Sequence, residues 1–313
     1  MENSWKTELV GLLGDKVKIL ERDSFHYEET DENVLGRGNN TVYKGTYDGK
    51  NVAVKKMSKV LVNKDVKSFV REIQMYYVTS HDKVPKMFGI CIETDFLYVL
   101  IESIHPSKTF EKACKEGDYK QHIDYMIQIT SIINDLHKDK IVHRDLKPFN
   151  ILVDDKHVVH LIDFGLSKSI ADSGATNDAK GTIDYMPPEA FSIDAEKEGD
   201  ANNDGCVFNV SLCFDVWSLG CIISECLSGI RPWRNINWDL VTAMKKPKIK
   251  KKDEINNDKV TEFLSCGKLE FPIGEGIKDE LKAILKLALT LHEKDRITVG
   301  GLLEKLKEYY TTL

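Results

Sequence analysis

"IVHRDLKPFNILVD", residues Ile141 to Asp154, followed by "LIDFGLSK" from Leu161, decides how this chain is read. Short apolar runs at 141–142 and 151–153 bracket His143, Arg144, Asp145, Lys147 and Asn150, and the second stretch sets Asp163 between an apolar pair and Phe164-Gly165. Taken singly, such charges have an ordinary role on a solvated surface. Their meaning depends on what the rest of the chain carries.

At 313 residues the chain is long enough for one large domain or two lobes. With 42% hydrophobic and 30% charged residues and a net charge of −6, it lacks the concentrated positive surface of a nucleic-acid or anionic-membrane binder. The opening "MENSWKTELVGLLGDKVK" has only a short apolar run broken by charge, unlike a secretory signal. "VWSLGCIISECLSG" is too short to span a membrane and holds Glu225. The expectation is a cytosolic or nuclear protein with no membrane insertion. The seven cysteines are odd in number and form no C-x-x-C pair, so neither a disulfide framework nor a zinc site is supported. Most read as small apolar core residues. The nine histidines show no H-E-x-x-H spacing.

Working outward, the region 32–102 reads as strands with one helix. "TVYKGTY" and "NVAVKKM" flank "DGK", a hairpin signal. "KDVKSFVREIQMYYVTS" places Val66, Phe69, Val70, Ile73 and Tyr77 at helical spacing, and "FLYVLIE" reads as a buried strand. From about residue 108 helices dominate. "HIDYMIQITSIINDLHK" has one apolar face, "CFDVWSLGCIISECLSG" is apolar nearly all round, and "DELKAILKLALTLHEKDRITVGGLLEKLKEYY" reads as two amphipathic helices. Residues 192–212 form a polar insertion. Within it "DANNDG" starts like a calcium loop, but Ser211 stands where the closing glutamate belongs, so calcium binding is not expected. "KKPKIKKK" (245–252) reads as a solvated basic loop ahead of an import or docking signal.

"LGRGNNTVYKG" (35–45) sets Gly36 and Gly38 where the first two glycines of a phosphate loop belong, with Thr41 in the third place. In "VAVKK", Ala53 and Lys55 share one face of a strand and Val54 and Lys56 the other. Ala53 is small enough to admit a flat base, and Lys55 then projects toward phosphates. Glu72 follows on the helix that begins after Asp65.

With these residues in place, the chain closely resembles the eukaryotic protein kinases, whose H-R-D-L-x-x-x-N and D-F-G signatures it carries in order. "GTIDYMPPEA", "DVWSLGC", "GIRPW" and "KDRIT" match downstream landmarks. The resemblance covers about 32–306. It implies an α+β bilobal fold: a small antiparallel-sheet lobe with one helix (about 31–104) and a larger, mainly helical lobe (about 105–306). Residues 1–30 form an N-terminal extension and 307–313 the C-terminal end.

The resemblance also implies ATP and Mg²⁺ as cofactors and protein substrates as partners, with an upstream kinase in prospect. Little covalent chemistry falls to such a protein, so its site aligns the nucleophile and neutralises charge. By family position Asp163 and Asn150 hold Mg²⁺, Asp145 accepts or orients the substrate proton, and Lys147 reaches the γ-phosphate. Lys55, held by Glu72, pairs the α- and β-phosphates. Leu35, Gly36, Gly38, Val42, Ala53, Ile101 and Leu152 would surround the nucleotide, and the backbone of Glu102 and Ile104 would bond the adenine edge. Arg144 would anchor a negative group on the activation loop, with Asp178, Ser173 and Thr176 as candidates. Glu189 would pair with Arg296, and Asp215 would serve a structural role. Pro187 replaces the usual alanine before Pro188-Glu189. Lys147-Pro148 and Thr182 point to serine/threonine specificity, although the first lobe has a tyrosine-kinase-like flavour that keeps dual specificity open. A catalytically silent scaffold would lack Lys55, Asp145, Asn150 or Asp163, and all four are present. A dinucleotide-binding oxidoreductase needs a strand before the glycine loop and a helix after it, whereas here a strand follows. Substrate identity and oligomeric state are left open.

Overall fold

A computed structural model describes residues 2–37, 40–79, 81–170, 175–176, 181–191, 208–209, 211–233, 271 and 273–313. The chain divides into two compact units. Unit 1 comprises 1–107, 154–156 and 160–165; unit 2 comprises 108–153, 157–159 and 166–313.

Unit 1 is built on an antiparallel sheet of β1 (Phe25–Tyr27), β2 (Val34–Arg37), β3 (Thr41–Tyr47), β4 (Lys50–Ser58), β5 (Met87–Ile92) and β6 (Phe96–Glu102). The order is β1-β3-β4-β6-β5, with β2 also on β3. The expected hairpin is β3–β4: Asp48 and Gly49 take φ of 49° and 68°, a primed turn matching the twist of the strands. Alternation along β4 sends Val52 and Val54 into a core with Tyr98 and Leu100. The opposite face carries Ala53 and Lys55, and also Met57, which packs in a second core. Above that face lies α3 (Val66–Val78), started by the Asp65 carboxylate, which accepts from the Ser68 amide at 3.0 Å. Phe69 and Ile73 of α3 meet Met57, Leu97 and Val99 in the second core.

Two more helices accompany α3: α1 (Glu2–Leu13) and the short α2 (Lys59–Lys64). Leu9 and Leu13 of α1 are buried in the same core as Phe69 and Ile73. The extension that the sequence left without a structural role is thus part of this unit's packing.

Unit 2 is helical: α4 (Phe110–Glu116), α5 (Tyr119–Lys138), α6 (Cys213–Ser228), α7 (Asp279–Ala288) and α8 (Val299–Thr311). Asp118 caps α5 by accepting from the Gln121 amide at 2.8 Å. The apolar face read in α5 is buried through Ile123, Met126 and Ile133. In α6 every residue from Phe214 to Ser224 is buried, as a helix apolar all round requires. The two amphipathic helices expected near the end are α7 and α8, and Tyr119 and Tyr309 join α5 to α8 through their hydroxyls at 2.7 Å.

Cys114 of α4 and Cys226 of α6 form a disulfide, with Cα atoms 5.7 Å apart. The sequence supported no bonded pair, because 112 residues separate these cysteines and only helix packing brings them together. Cys91 and Cys221 are the buried apolar residues expected. The "DANNDG" stretch, the basic run 245–252 and most of the insertion lie outside the described residues. The Ser211 hydroxyl donates to Glu293 at 3.0 Å.

Candidate active site

Two clusters of family residues form, one in each unit. In unit 1 Lys55, on β4, donates from Nζ to Glu72 Oε1 of α3 at 2.6 Å, and its Nζ lies 3.7 Å from Asp163 Oδ1. The side chains of Lys55 and Glu72 are only 14% and 7% exposed, whereas Asp163 is 43% exposed. Burial alone would pull the Lys55 pKa down; the carboxylates of Glu72 and Asp163 outweigh it and hold the ammonium charged well above its ordinary range. Breaking such a buried pair on one side costs about 3–5 kcal/mol, because the remaining charge is stranded.

Asp163 sits in left-handed backbone, φ 67°, and its Oδ1 accepts from the Gly165 amide at 3.2 Å. The segment is tied to α3 twice. Ser68 donates to the Gly165 carbonyl at 3.4 Å, and the Phe164 ring meets Tyr76 edge-on at 5.5 Å. Neither Ser68 nor Tyr76 stands out in the sequence, because only the folded α3 turns them toward 163–165.

Strand register aligns the nucleotide candidates of this unit on one sheet face. Val42 pairs with Lys55, and Ala53 pairs with Ile101. All three apolar residues are half-buried. Gly36 pairs with Val42 across an irregularity in β2, and Leu35 is 38% exposed. The Glu102 amide donates to the Lys86 carbonyl at 2.8 Å, and the Ile104 carbonyl accepts from the Ser107 hydroxyl. Gly38 lies outside the described residues.

In unit 2 both carboxylate oxygens of Asp145 are engaged. Oδ1 accepts from the Thr182 amide at 3.0 Å and its hydroxyl at 2.8 Å. Oδ2 accepts from Lys147 Nζ at 2.7 Å and Asn150 Nδ2 at 3.1 Å. Lys147 also donates to the Thr182 hydroxyl at 3.1 Å, and Asn150 to the Asp145 carbonyl at 2.9 Å. Leu152 is half-buried on the strand that follows.

Behind this cluster Asp215 is fully buried. Its Oδ1 accepts from the Arg144 amide at 2.9 Å, and its Oδ2 from the His143 amide at 2.8 Å and bonds His137 Nε2 at 3.0 Å. Burial pushes the Asp215 pKa up, but His137, His143 and the Arg144 amide together keep it below the ordinary value. These bonds hold Arg144 in left-handed backbone, φ 69°, a conformation costing about 1–3 kcal/mol. Gly181, φ 145°, lies against the same turn; a Cβ there would stand 2.8 Å from the Arg144 carbonyl, so only glycine lets Thr182 reach Asp145. His137 is a participant the sequence did not reveal: a lone histidine in an amphipathic helix carries no signal.

Glu189 and Arg296 form a bidentate pair at 2.7 and 3.0 Å, with the Arg296 side chain fully buried. Arg144 is buried. Ser173 and Asp178 lie outside the described residues; Thr176 is described only as backbone, in a short strand paired with Phe208–Asn209.

The donors suit the implied cofactors. Asp163 offers a half-exposed hard carboxylate beside a charged lysine, and one or two such ligands are what Mg²⁺ takes when phosphates complete its shell. Among the described residues no group of three His, Cys, Asp or Glu forms an all-protein metal cage.

The protein kinase domain family profile matches residues 29–307. The mitogen-activated protein kinase kinase kinase A of Dictyostelium discoideum is 34% identical over 217 residues, covering 65% of this chain and 21% of that protein. The wall-associated receptor kinase-like 10 of Arabidopsis thaliana is 30% identical, covering 63% of this chain and 25% of the relative. The G-type lectin S-receptor-like serine/threonine-protein kinase SD1-1 of the same plant is 31% identical, with 72% and 27% covered. The chain thus spans half or less of the length of such relatives. No helix among the described residues is long and apolar enough to cross a membrane. With the signature side chains bonded to one another inside each unit and the profile running across most of the sequence, the chain belongs to the protein kinase domain family.

Proposed function

We propose that this chain transfers the γ-phosphate of ATP to serine and threonine hydroxyls of protein substrates in intracellular signalling. The observation that carries the reading is the Asp145 cluster. A carboxylate held by Lys147, Asn150 and Thr182 is oriented before any substrate arrives, and preorganised polar groups lower a barrier without reorganising during the reaction. Asp145 would orient the incoming hydroxyl and take its proton. Lys147 would carry positive charge toward the transferred group, and Thr182, whose hydroxyl bonds both, favours the serine/threonine side. Lys55, held charged by Glu72, would bind the α- and β-phosphates. Asp163 and Asn150 would hold Mg²⁺. Bound Mg²⁺–ATP supplies the electrophilic phosphorus and the neutralisation of phosphate charge.

Val42, Ala53 and Ile101 line one sheet face suited to a flat base, and by family position Leu35, Leu152 and the backbone of Glu102 and Ile104 would be further nucleotide contacts. Arg144 would answer to a negative group at Asp178, Ser173 or Thr176. A cytosolic or nuclear setting goes with this reading; the Cys114–Cys226 disulfide, a bond that persists mainly in oxidising compartments, stands against it.

The test is transfer of γ-phosphate from ATP with Mg²⁺ to a mixed peptide array, scored by acceptor residue. Serine and threonine peptides should be labelled, and Asp163→Asn should abolish labelling while leaving the melting curve in place. Protein that binds Mg²⁺–ATP and labels nothing would mean a scaffold; labelled tyrosine would mean dual specificity.

A further inference from the structure

Residues 2–20 precede the stretch that the family profile matches, yet they are built into unit 1. Trp5, Leu9 and Leu13 recur every four residues on α1, so they share one face. Leu9 and Leu13 are 1% and 4% exposed, packed in one core with Phe69 and Ile73 of α3. Val17 joins the same core. The chain then runs parallel to β5: the Ile90 amide donates to the Lys18 carbonyl at 2.9 Å and the Leu20 amide to the Ile90 carbonyl at 2.7 Å. Gly89, φ 153°, makes room for this added strand, since a Cβ there would lie 2.5 Å from the Lys18 carbonyl oxygen. The Lys18 amide donates to the Tyr77 hydroxyl, near the end of α3, at 3.4 Å. Lys59 of α2 stands 4.6 Å from the Trp5 ring centroid.

Glu72 is the neighbour of Ile73 on α3, and its bond to Lys55 depends on where α3 lies over the sheet. We propose that residues 2–20 are an intramolecular clamp that positions Glu72 for Lys55, so that this chain supplies its own support for α3. The 2.6 Å ion pair coexists with docked α1, which makes the segment an activating support. Without it Phe69 and Ile73 would keep their sheet contacts with Met57, Leu97 and Val99 but lose Leu9 and Leu13, opening one side of this core to water. A helix held on one face can move to a second packing, as elements in switching proteins do. The proposal rests on the kinase reading of Lys55 and Glu72.

The experiment is a double-mutant cycle in the full chain, pairing Leu9→Asp/Leu13→Asp with Glu72→Ala and reading kcat, the KM for ATP and hydrogen exchange of the α3 amides. The acidic pair should lower kcat about tenfold, within the range of coupling between sites. It should add little once Glu72 is gone, because both changes remove one interaction. Equal losses in both backgrounds, or no loss with Glu72 present, would overturn the clamp. If the acidic pair does not fold, Leu9→Ala/Leu13→Ala read in the same cycle decides. Should wild-type protein transfer no phosphate, the functional reading fails and the α3 amides still test the clamp. Protection lost selectively in α3 of the acidic pair supports it, and unchanged protection overturns it.

Discussion

The two polar clusters are assembled differently. In unit 2, Asp145 meets Lys147 two residues on and Asn150 five residues on, within one turn of chain. Its distant partner Thr182 arrives with both amide and hydroxyl, and the main chain beside it is locked by the buried Asp215. In unit 1, Lys55 and Glu72 are 17 residues apart on different elements, and their bond exists only because a helix packs over a strand. A site made of neighbours in sequence is rigid by construction. A site made by packing two elements can be opened by loosening the packing. The Asp145 cluster is therefore expected to be the more fixed of the two, and the Lys55–Glu72 pair the one that loosened packing can open.

The largest effect should come from the rigid side. Asp145→Asn keeps the shape of the side chain and removes the proton acceptor, so kcat should fall about 10²- to 10⁴-fold. Steady-state kinetics alongside a melting curve test this, and a variant retaining a tenth of wild-type kcat would contradict it. Next is Glu72→Ala, with a loss in kcat of about tenfold to a hundredfold. This is less than the loss of a dedicated transition-state donor, because Asp163 remains 3.7 Å from Lys55. A loss as large as that of Asp145→Asn would mean that the two clusters do not differ in the way described.

Asp215 sharpens the comparison through stability. Its carboxylate accepts two main-chain amide bonds, and Asp215→Asn should cost about 1.5–3 kcal/mol in chemical denaturation. Because its folded pKa lies below the ordinary 3.8, the stabilisation from ionised Asp215 is fully present above that value. It is lost as pH falls through the lower folded value. The stability gap between wild type and Asp215→Asn should therefore be constant at neutral pH and narrow in acid below about 3.8. A gap that widens in acid would reverse the sign assigned here.

The smallest effect is expected at the glycine loop. Thr41 opens β3, where a β-branched residue is favoured, so Thr41→Gly should change kcat and the KM for ATP by less than about twofold. Gly38→Val should raise that KM more, by putting a side chain between backbone and phosphates. Nucleotide titrations of both variants decide the order, and the reverse ranking would remove the account of Thr41 as a tolerated change.

Much of this molecule could be read before folding, because the signals involved act over a few residues. The Asp48–Gly49 turn, the Asp65 cap, the alternation along β4, the apolar periodicity of α5 and the all-round apolar character of α6 each depend on near neighbours. The signature side chains were equally legible, since Asp145, Lys147 and Asn150 share one short segment. The sequence could not say that Leu9 and Leu13 belong to the core beneath α3, that Cys114 meets Cys226, or that His137 bonds the buried Asp215. Each of these is a choice of partner among many apolar, thiol or polar groups far along the chain. Local pattern says that a face must be buried, while only the simultaneous packing of all elements selects what buries it.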